Sequence, residues 1–177
     1  MIGVSHVSDM AALIEPHIPA LRRFAWSLTR SGYSADDLVQ DCLERAVSRW
    51  PSRRLDGDVR AWLFAILNNC FLDDRRRDKR RGRQVALDEM TEPCVDAQQD
   101  AGLHYLDVAE AFEQLPDEMR AVILLVGVED MQYTEAALVL GVPIGTVMSR
   151  LSRGRERLRQ LISGEPLATG PALRSVK

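Results

Sequence analysis

An all-α fold, two small helical domains joined by a flexible acidic linker, is what this sequence predicts, and three observations carry the prediction. Apolar residues return at three- and four-residue intervals through most of the chain, while strand-like alternation is scarce. The 177 residues are 46% hydrophobic and 28% charged, which allows a genuine core in one medium domain or two small ones. Between the helical stretches, residues 84–104 hold few apolar positions, no Lys or Arg, Pro93 and several acids. Such a segment buries too little apolar surface to fold alone. The predicted organisation is a first unit over 10–83, the linker over 84–104, a second unit over 105–163 and a disordered tail over 164–177.

The first helix is expected over Met10 to Thr29, with Leu13, Leu21, Phe24 and Leu28 as core positions and Pro16 and Pro19 delaying its regular start. Gly32 and Tyr33 make a break. Ser34, followed by Asp37 three residues on, is a capping-box-like start for a second helix running to about Ser48. Its inward positions are expected to be Leu38, Cys42 and Val47, and Pro51 ends it. The loop from Trp50 to Gly57 is polar and carries the turn signal Asp56-Gly57. A third helix starts near Asp58 and continues into the run DDRRRDKRR. Val59, Leu63, Ile66 and Cys70 form its buried stripe. At 100° per residue, Trp62, Asn69, Asp73, Arg76 and Arg80 fall together on a neighbouring face.

The second unit begins with a helix over roughly Leu106 to Gln114. Pro116 opens another, with Met119, Val122, Ile123 and Val126 inside. The stretch Tyr133 to Arg159 has the outline of a helix-turn-helix. An apolar helix stops at Gly141, which suits a left-handed helix end, Pro143 fits the start of the next helix, and that helix runs into five arginines. Ala136 and Ala137 are small where two helices cross. Val147 and Leu151 hold the second helix to the core, while Thr146, Ser149, Arg150 and Arg153 are expected to face outward, within reach of bases or phosphates.

Charge is unevenly placed. Residues 1–83 carry fifteen basic and eleven acidic side chains, 84–109 none and six, and 110–177 eight and nine, so the formal net charge of −3 conceals basic clusters on both sides of an acidic middle. One cluster is Arg75, Arg76, Arg77, Lys79, Arg80, Arg81 and Arg83. Its plainer reading is a solvated helix end; its functional reading is salt-dependent phosphate binding. Trp50, Trp62 and Phe64 lie upstream, where aromatic side chains stack on unpaired bases, although Phe64 reads better as core. Two basic units on one tether suggest two contacts to one DNA molecule.

Other function classes find no support. Cys42, Cys70 and Cys94 are scattered, with no CxxC, and His6, His17 and His104 form no cluster, so neither a disulfide framework nor a metal site is expected. No nucleophile–base pair or glycine-rich phosphate loop appears, so no catalytic residue, enzyme activity or cofactor is expected. A signal peptide and a membrane span are both unmarked, and a cytoplasmic setting is the default.

The segments SADDLVQDCLERAVSRW, DVRAWLFAILNNCFLDDRRRDKRR and LPDEMRAVILLVGVEDMQYTEAALVLGVPIGTVMSRLSRGRERLR, in this order, resemble an extracytoplasmic-function (ECF) sigma factor of bacterial RNA polymerase over roughly residues 16–162. The resemblance implies a sigma-2 unit followed by a sigma-4 unit. It implies that Asp37, Leu38, Gln40 and Asp41 dock core RNA polymerase, and that the loop from about Pro51 to Asp58 captures a flipped base of the −10 element. It further implies that Asn69, Asp73, Arg76 and Arg77, with Trp62 and Arg80 beside them, face −10 DNA, and that the helix from Ile144 reads the −35 element. A cognate anti-sigma factor is likewise implied, with a monomeric or heterodimeric state. Met148, Ser152 and Ala136 depart from the family pattern. At Met148 and Ser152 this concerns promoter preference; Ala136 implies looser local packing. Two other readings remain: a sigma-like decoy that binds an anti-sigma factor but no promoter, and a conventional dimeric helix-turn-helix regulator. The latter leaves the Asp37–Asp41 motif unexplained.

Overall fold

The computed structural model describes residues 10–53, 57–80 and 102–163, with side chains from residue 108 onward in the last stretch. Most of the expected linker, the tail, Asp56, Arg81 and Arg83 lie outside the described residues. Among the described residues there are helices and turns and no strand.

The two early prolines break the first helix as expected. Residues 10–14 are helical, a 3₁₀ turn covers Glu15–His17, and α1 spans Ile18–Thr29. α1 buries Leu21, Phe24 and Leu28, but Leu13 is exposed and Ile14 is buried in its place. A 3₁₀ turn winds at three residues per turn, so extending the α-helical period back across it lands one residue off. Arg30, at φ 57°, closes α1.

α2 spans Gly32–Arg49, and its cap is Ser31, whose Oγ accepts from the Ser34 backbone N–H at 3.3 Å. The helix therefore starts before Ser34, the expected cap. Its buried stripe is Ala35, Leu38, Val39, Cys42 and Ala46. Val47 is exposed, because the four-residue step from Cys42 reaches Ala46 and the next residue turns a further 100° toward solvent. Pro51 lies in the 3₁₀ turn Trp50–Ser52 that comes next. α3 spans Val59–Arg80 and buries Leu63, Phe64, Ile66, Leu67, Asn68 and Cys70. Val59 is only partly buried. Phe64 is core, its ring tilted against Phe24 with centroids 5.3 Å apart.

α4 spans Gly102–Glu113, so its first turn takes residues 102–104 from the expected linker. Gly102 is a poor helix former and gives no start signal. α5 spans Asp117–Ile123 and passes into a π turn over Leu124–Val128. Of its expected core residues Val122 is buried, while Met119, Ile123 and Val126 are partly so. α6 spans Tyr133–Leu140 and ends at Gly141 with φ 64°. α7 spans Ile144–Ser163, with Val147 and Leu151 buried. Ala136 is fully buried. Another close crossing is at Gly154: a Cβ on this residue of α7 would sit 2.9 Å from Ile123 Cδ1 and 3.2 Å from Met119 Cβ of α5.

α1, α2 and α3 pack into one bundle, and α4 to α7 into another. α3 also packs against α6, and α1 against α5, so one apolar cluster runs through both units.

Candidate nucleic-acid interface

Three surfaces hold the residues that the sequence marks as functional. The first is the N-terminal half of α2. Asp36, Asp37, Gln40 and Glu44 are exposed and Asp41 is half-buried. Positions 37, 40, 41 and 44 share one helix face. Gln40 Nε2 donates to Glu44 Oε1 at 3.0 Å, and Asp36 pairs with Arg22 at 3.1 Å. Leu38, grouped with these residues by sequence, is buried in the core and so supports this face from beneath instead of presenting itself to a partner.

The second surface is the C-terminal half of α3. The helix brings Asn69, Asp73, Arg76, Arg77 and Arg80 onto one side; Asn69 and the three arginines are exposed and Asp73 is half-buried. Asp73 receives Arg45 Nη1 at 3.1 Å and lies 3.6 Å from Arg76 Nη1. That hydrogen bond raises the pKa of Arg45 above its ordinary value. Arg77 pairs with Asp74 at 3.0 Å, and burial pushes the Asp74 carboxyl up, with Arg77 opposing. Trp62 lies about 10 Å back from Asn69 and about 20 Å back from Arg76 along the helix, half-buried and edge-on to Trp50 with ring centroids 5.9 Å apart. Arg53 stacks on Trp50 at 4.6 Å. The arginine face and the aromatic pair thus stand toward opposite ends of α3, with Trp50 contributed by the preceding turn, and do not form a single patch.

The third surface is α7. Its exposed face centres on Gly145, Ser149, Ser152 and Glu156, flanked by Met148 and Arg159 on one side and Arg153 on the other. Ser149 and Arg153 face outward as expected, and Arg153 Nε donates to the Ser149 carbonyl at 3.2 Å. Thr146 is half-buried. Arg150 departs from the expectation: it turns back toward α5, its Nη2 2.6 Å from Glu118 Oε2, and its side chain is only 20% exposed. At 140° from Gly145 it belongs to the flank of the anchored side. Met148 and Ser152, marked in the sequence only as departures from the family pattern, stand nearer the middle of the open face.

The contacts that join the two units have no counterpart in the sequence pattern. Glu129 is 4% exposed. Its Oε1 accepts from Arg23 Nε at 3.0 Å and Nη2 at 2.7 Å, and its Oε2 from Arg60 Nη2 at 3.0 Å. Arg60 Nη2 also donates to the Glu129 carbonyl. The π turn just before Glu129 adds a residue to the helical winding and so re-aims the residues after it, and no sequence signal marks such a turn. Asp117 receives Arg75 at 2.9 Å and Arg120 at 2.8 Å and lies 3.5 Å from Arg30. Asn68 Nδ2, buried in α3, donates to the Val139 carbonyl of α6 at 3.3 Å. Arg75 of the basic cluster is therefore held between the units. Among the described residues no group of His, Cys, Asp and Glu could hold a metal ion, and no helix is long and apolar enough to cross a membrane.

Two helical units, one bearing an acidic helix face beside an arginine face and the other a helix-turn-helix, define a sigma-type architecture. Comparison with known proteins agrees. The family described as the Sigma2 domain of PhyR matches residues 14–68, and Sigma-70, region 4 matches residues 105–158. The chain is 37% identical over 147 residues to the ECF RNA polymerase sigma factor EcfG of Rhodopseudomonas palustris, covering 82% of this chain and 80% of that protein. The co-crystal structure of the sigma factor RpoE with the anti-sigma factor NepR from Bartonella quintana superposes with a TM-score of 0.75 at 33% identity, over 89% of this chain and 99% of that one. The structure of CnrH with the cytosolic domain of CnrY superposes at a TM-score of 0.63 and 28% identity over 89% of each chain. The chain belongs to the ECF RNA polymerase sigma factor family.

Proposed function

We propose that this chain is a promoter-specificity subunit that works by three surfaces and performs no catalytic step of its own. Unit 10–83 docks core RNA polymerase through Asp37, Gln40 and Asp41, whose clustered carboxylates suit a basic partner. The same unit engages the −10 element through Asn69, Asp73, Arg76, Arg77 and Arg80, with Trp62 and the 51–58 loop as the place for an unstacked base. Unit 105–163 reads the −35 element in the major groove with Ser149 and Arg153, and residues 84–104 span the two. The observation that carries this reading is the pair of arginine-bearing faces on α3 and α7 in one chain with the acidic face of α2. Neither a dimeric regulator nor an enzyme has a use for all three.

The relatives in complex with NepR and CnrY support an anti-sigma factor as a further partner. In this arrangement Arg75 is held by Asp117 and α3 lies against α6, while the arginine face of α3 and the outward face of α7 both stay exposed. The test is binding to purified core polymerase. Reversing the charge of Asp37 and Asp41 together, both at the surface, is expected to abolish core binding while leaving the helical content intact. Undiminished core binding by the reversed variant contradicts the assignment of that face.

A further inference from the structure

Met148 is 50% exposed in the second turn of α7, and Tyr133, the first residue of α6, is 38% exposed. Together with Leu151, Ser152, Arg155, Glu156 and Arg159 they line an open notch of about 420 Å³. Its floor is apolar and its rim carries arginines. The surrounding helix supplies Arg153, Arg155, Arg157 and Arg159 against Glu156 as its acid, a balance that suits a phosphate backbone. Gly145, one turn before, has open space where a side chain would stand, so DNA can close on the start of α7, where the helix dipole favours phosphate.

A methionine on the flank of such a face has a definite chemical consequence. It has no donor and only a weak thioether acceptor, so it cannot read guanine as an arginine or lysine does. Among the base edges of the major groove the thymine C5-methyl is the one apolar group. Methionine, unbranched and polarizable, adapts well to such a contact. We propose that Met148, backed by Tyr133, is a specificity-determining residue that selects thymine by its methyl group at one position of the duplex site read by α7. The proposal rests on the promoter-reading role of α7 proposed for unit 105–163.

The test uses holoenzyme assembled on core polymerase and a pool of duplexes randomised across the element that α7 contacts. In the selected sequence each thymine is replaced in turn by uracil, which removes the methyl and keeps the pairing. At one position the replacement is expected to weaken binding about fourfold, the worth of one buried methyl. In Met148→Ala, a change at an exposed position to a better helix former, thymine and uracil at that position are expected to bind equally. A preferred sequence indifferent to every methyl, or a methyl effect that survives in Met148→Ala, overturns this proposal alone. A pool that yields no preferred sequence overturns the reading role of α7 and this proposal with it.

Discussion

Replacement of Arg120 by methionine tests how the two units are held together. The side chain is 1% exposed. Its Nε donates to the Ser27 carbonyl at 2.9 Å, its Nη1 to the Glu113 and Leu115 carbonyls at 3.1 and 3.0 Å, and its Nη2 to Asp117 Oδ1 at 2.8 Å. Burial, with Arg30 close by, pulls its pKa below the ordinary arginine value, so these partners are what compensate a buried charge. Removing one member of a buried ion pair costs about 3–5 kcal/mol. Asp117 is 30% exposed and keeps Arg75 at 2.9 Å, which places the loss at the lower end, about 3 kcal/mol. Methionine fills most of the vacated volume, so a cavity adds little. Arg120→Lys is expected to recover less than half, since one nitrogen cannot reach acceptors that a guanidinium fork reaches in three directions. Urea unfolding monitored by far-UV circular dichroism measures the loss, and the fluorescence of Trp26, Trp50 and Trp62 reports the first unit alone. Because Ser27 belongs to α1, both signals are expected to shift. A loss below about 1 kcal/mol by both signals refutes the claim that Arg120 fastens α5 to the first unit.

Three other outcomes are expected. Arg153→Ala weakens binding of the −35 element and lowers the salt dependence of affinity by about one unit of slope; titration at several salt concentrations measures it, and an unchanged slope contradicts a phosphate contact there. Gly141→Val costs about 1–2 kcal/mol or more in thermal unfolding, because a β-branched residue is forced to φ 64°; equal stability contradicts the left-handed turn. Burial pushes the Cys42 thiol up to about 12 and raises Cys70 as well. In a Cys94→Ser background, iodoacetamide at pH 8 is therefore expected to label neither cysteine until urea unfolds the chain. Because the folded value is the higher one, the Cys42 contribution to stability is complete below the ordinary thiol value of 9.0 and is lost as pH rises toward about 12. Rapid labelling of the native protein at pH 8 contradicts the burial.

Much of the architecture was legible because it rests on local rules. Gly141 and Pro143 mark the turn between α6 and α7, and Leu63, Ile66 and Cys70 mark the buried side of α3. The differences came from a change of winding in one place and from helical phase in another. The 3₁₀ turn at Glu15–His17 moved the core position from Leu13 to Ile14, and Val47 was one step beyond Ala46. For the candidate surfaces, helical spacing grouped Asn69, Asp73 and Arg76 correctly as neighbours, but it turned the outward face of α7 too far toward Arg150. Glu118, which draws Arg150 back, lies on another helix, and nothing local announces it. Glu129, Asp117 and Arg120 were illegible for the same reason: the partners that tie them to the first unit, among them Arg23, Arg75 and Ser27, stand 42 to 106 residues away in the chain, and only the packing of α1 on α5 and α3 on α6 brings them together.

The proposed function requires the chain to confer promoter opening on core polymerase. Permanganate footprinting of DNA fragments incubated with a bacterial core RNA polymerase and this protein tests it most directly, because the reagent marks unpaired thymines. A short reactive stretch is expected downstream of the site protected by α7, present only when chain and core are combined and weakened when Arg76 and Arg77 are replaced by alanine. Duplex binding by the chain alone, with no core-dependent reactivity on any fragment, would contradict it.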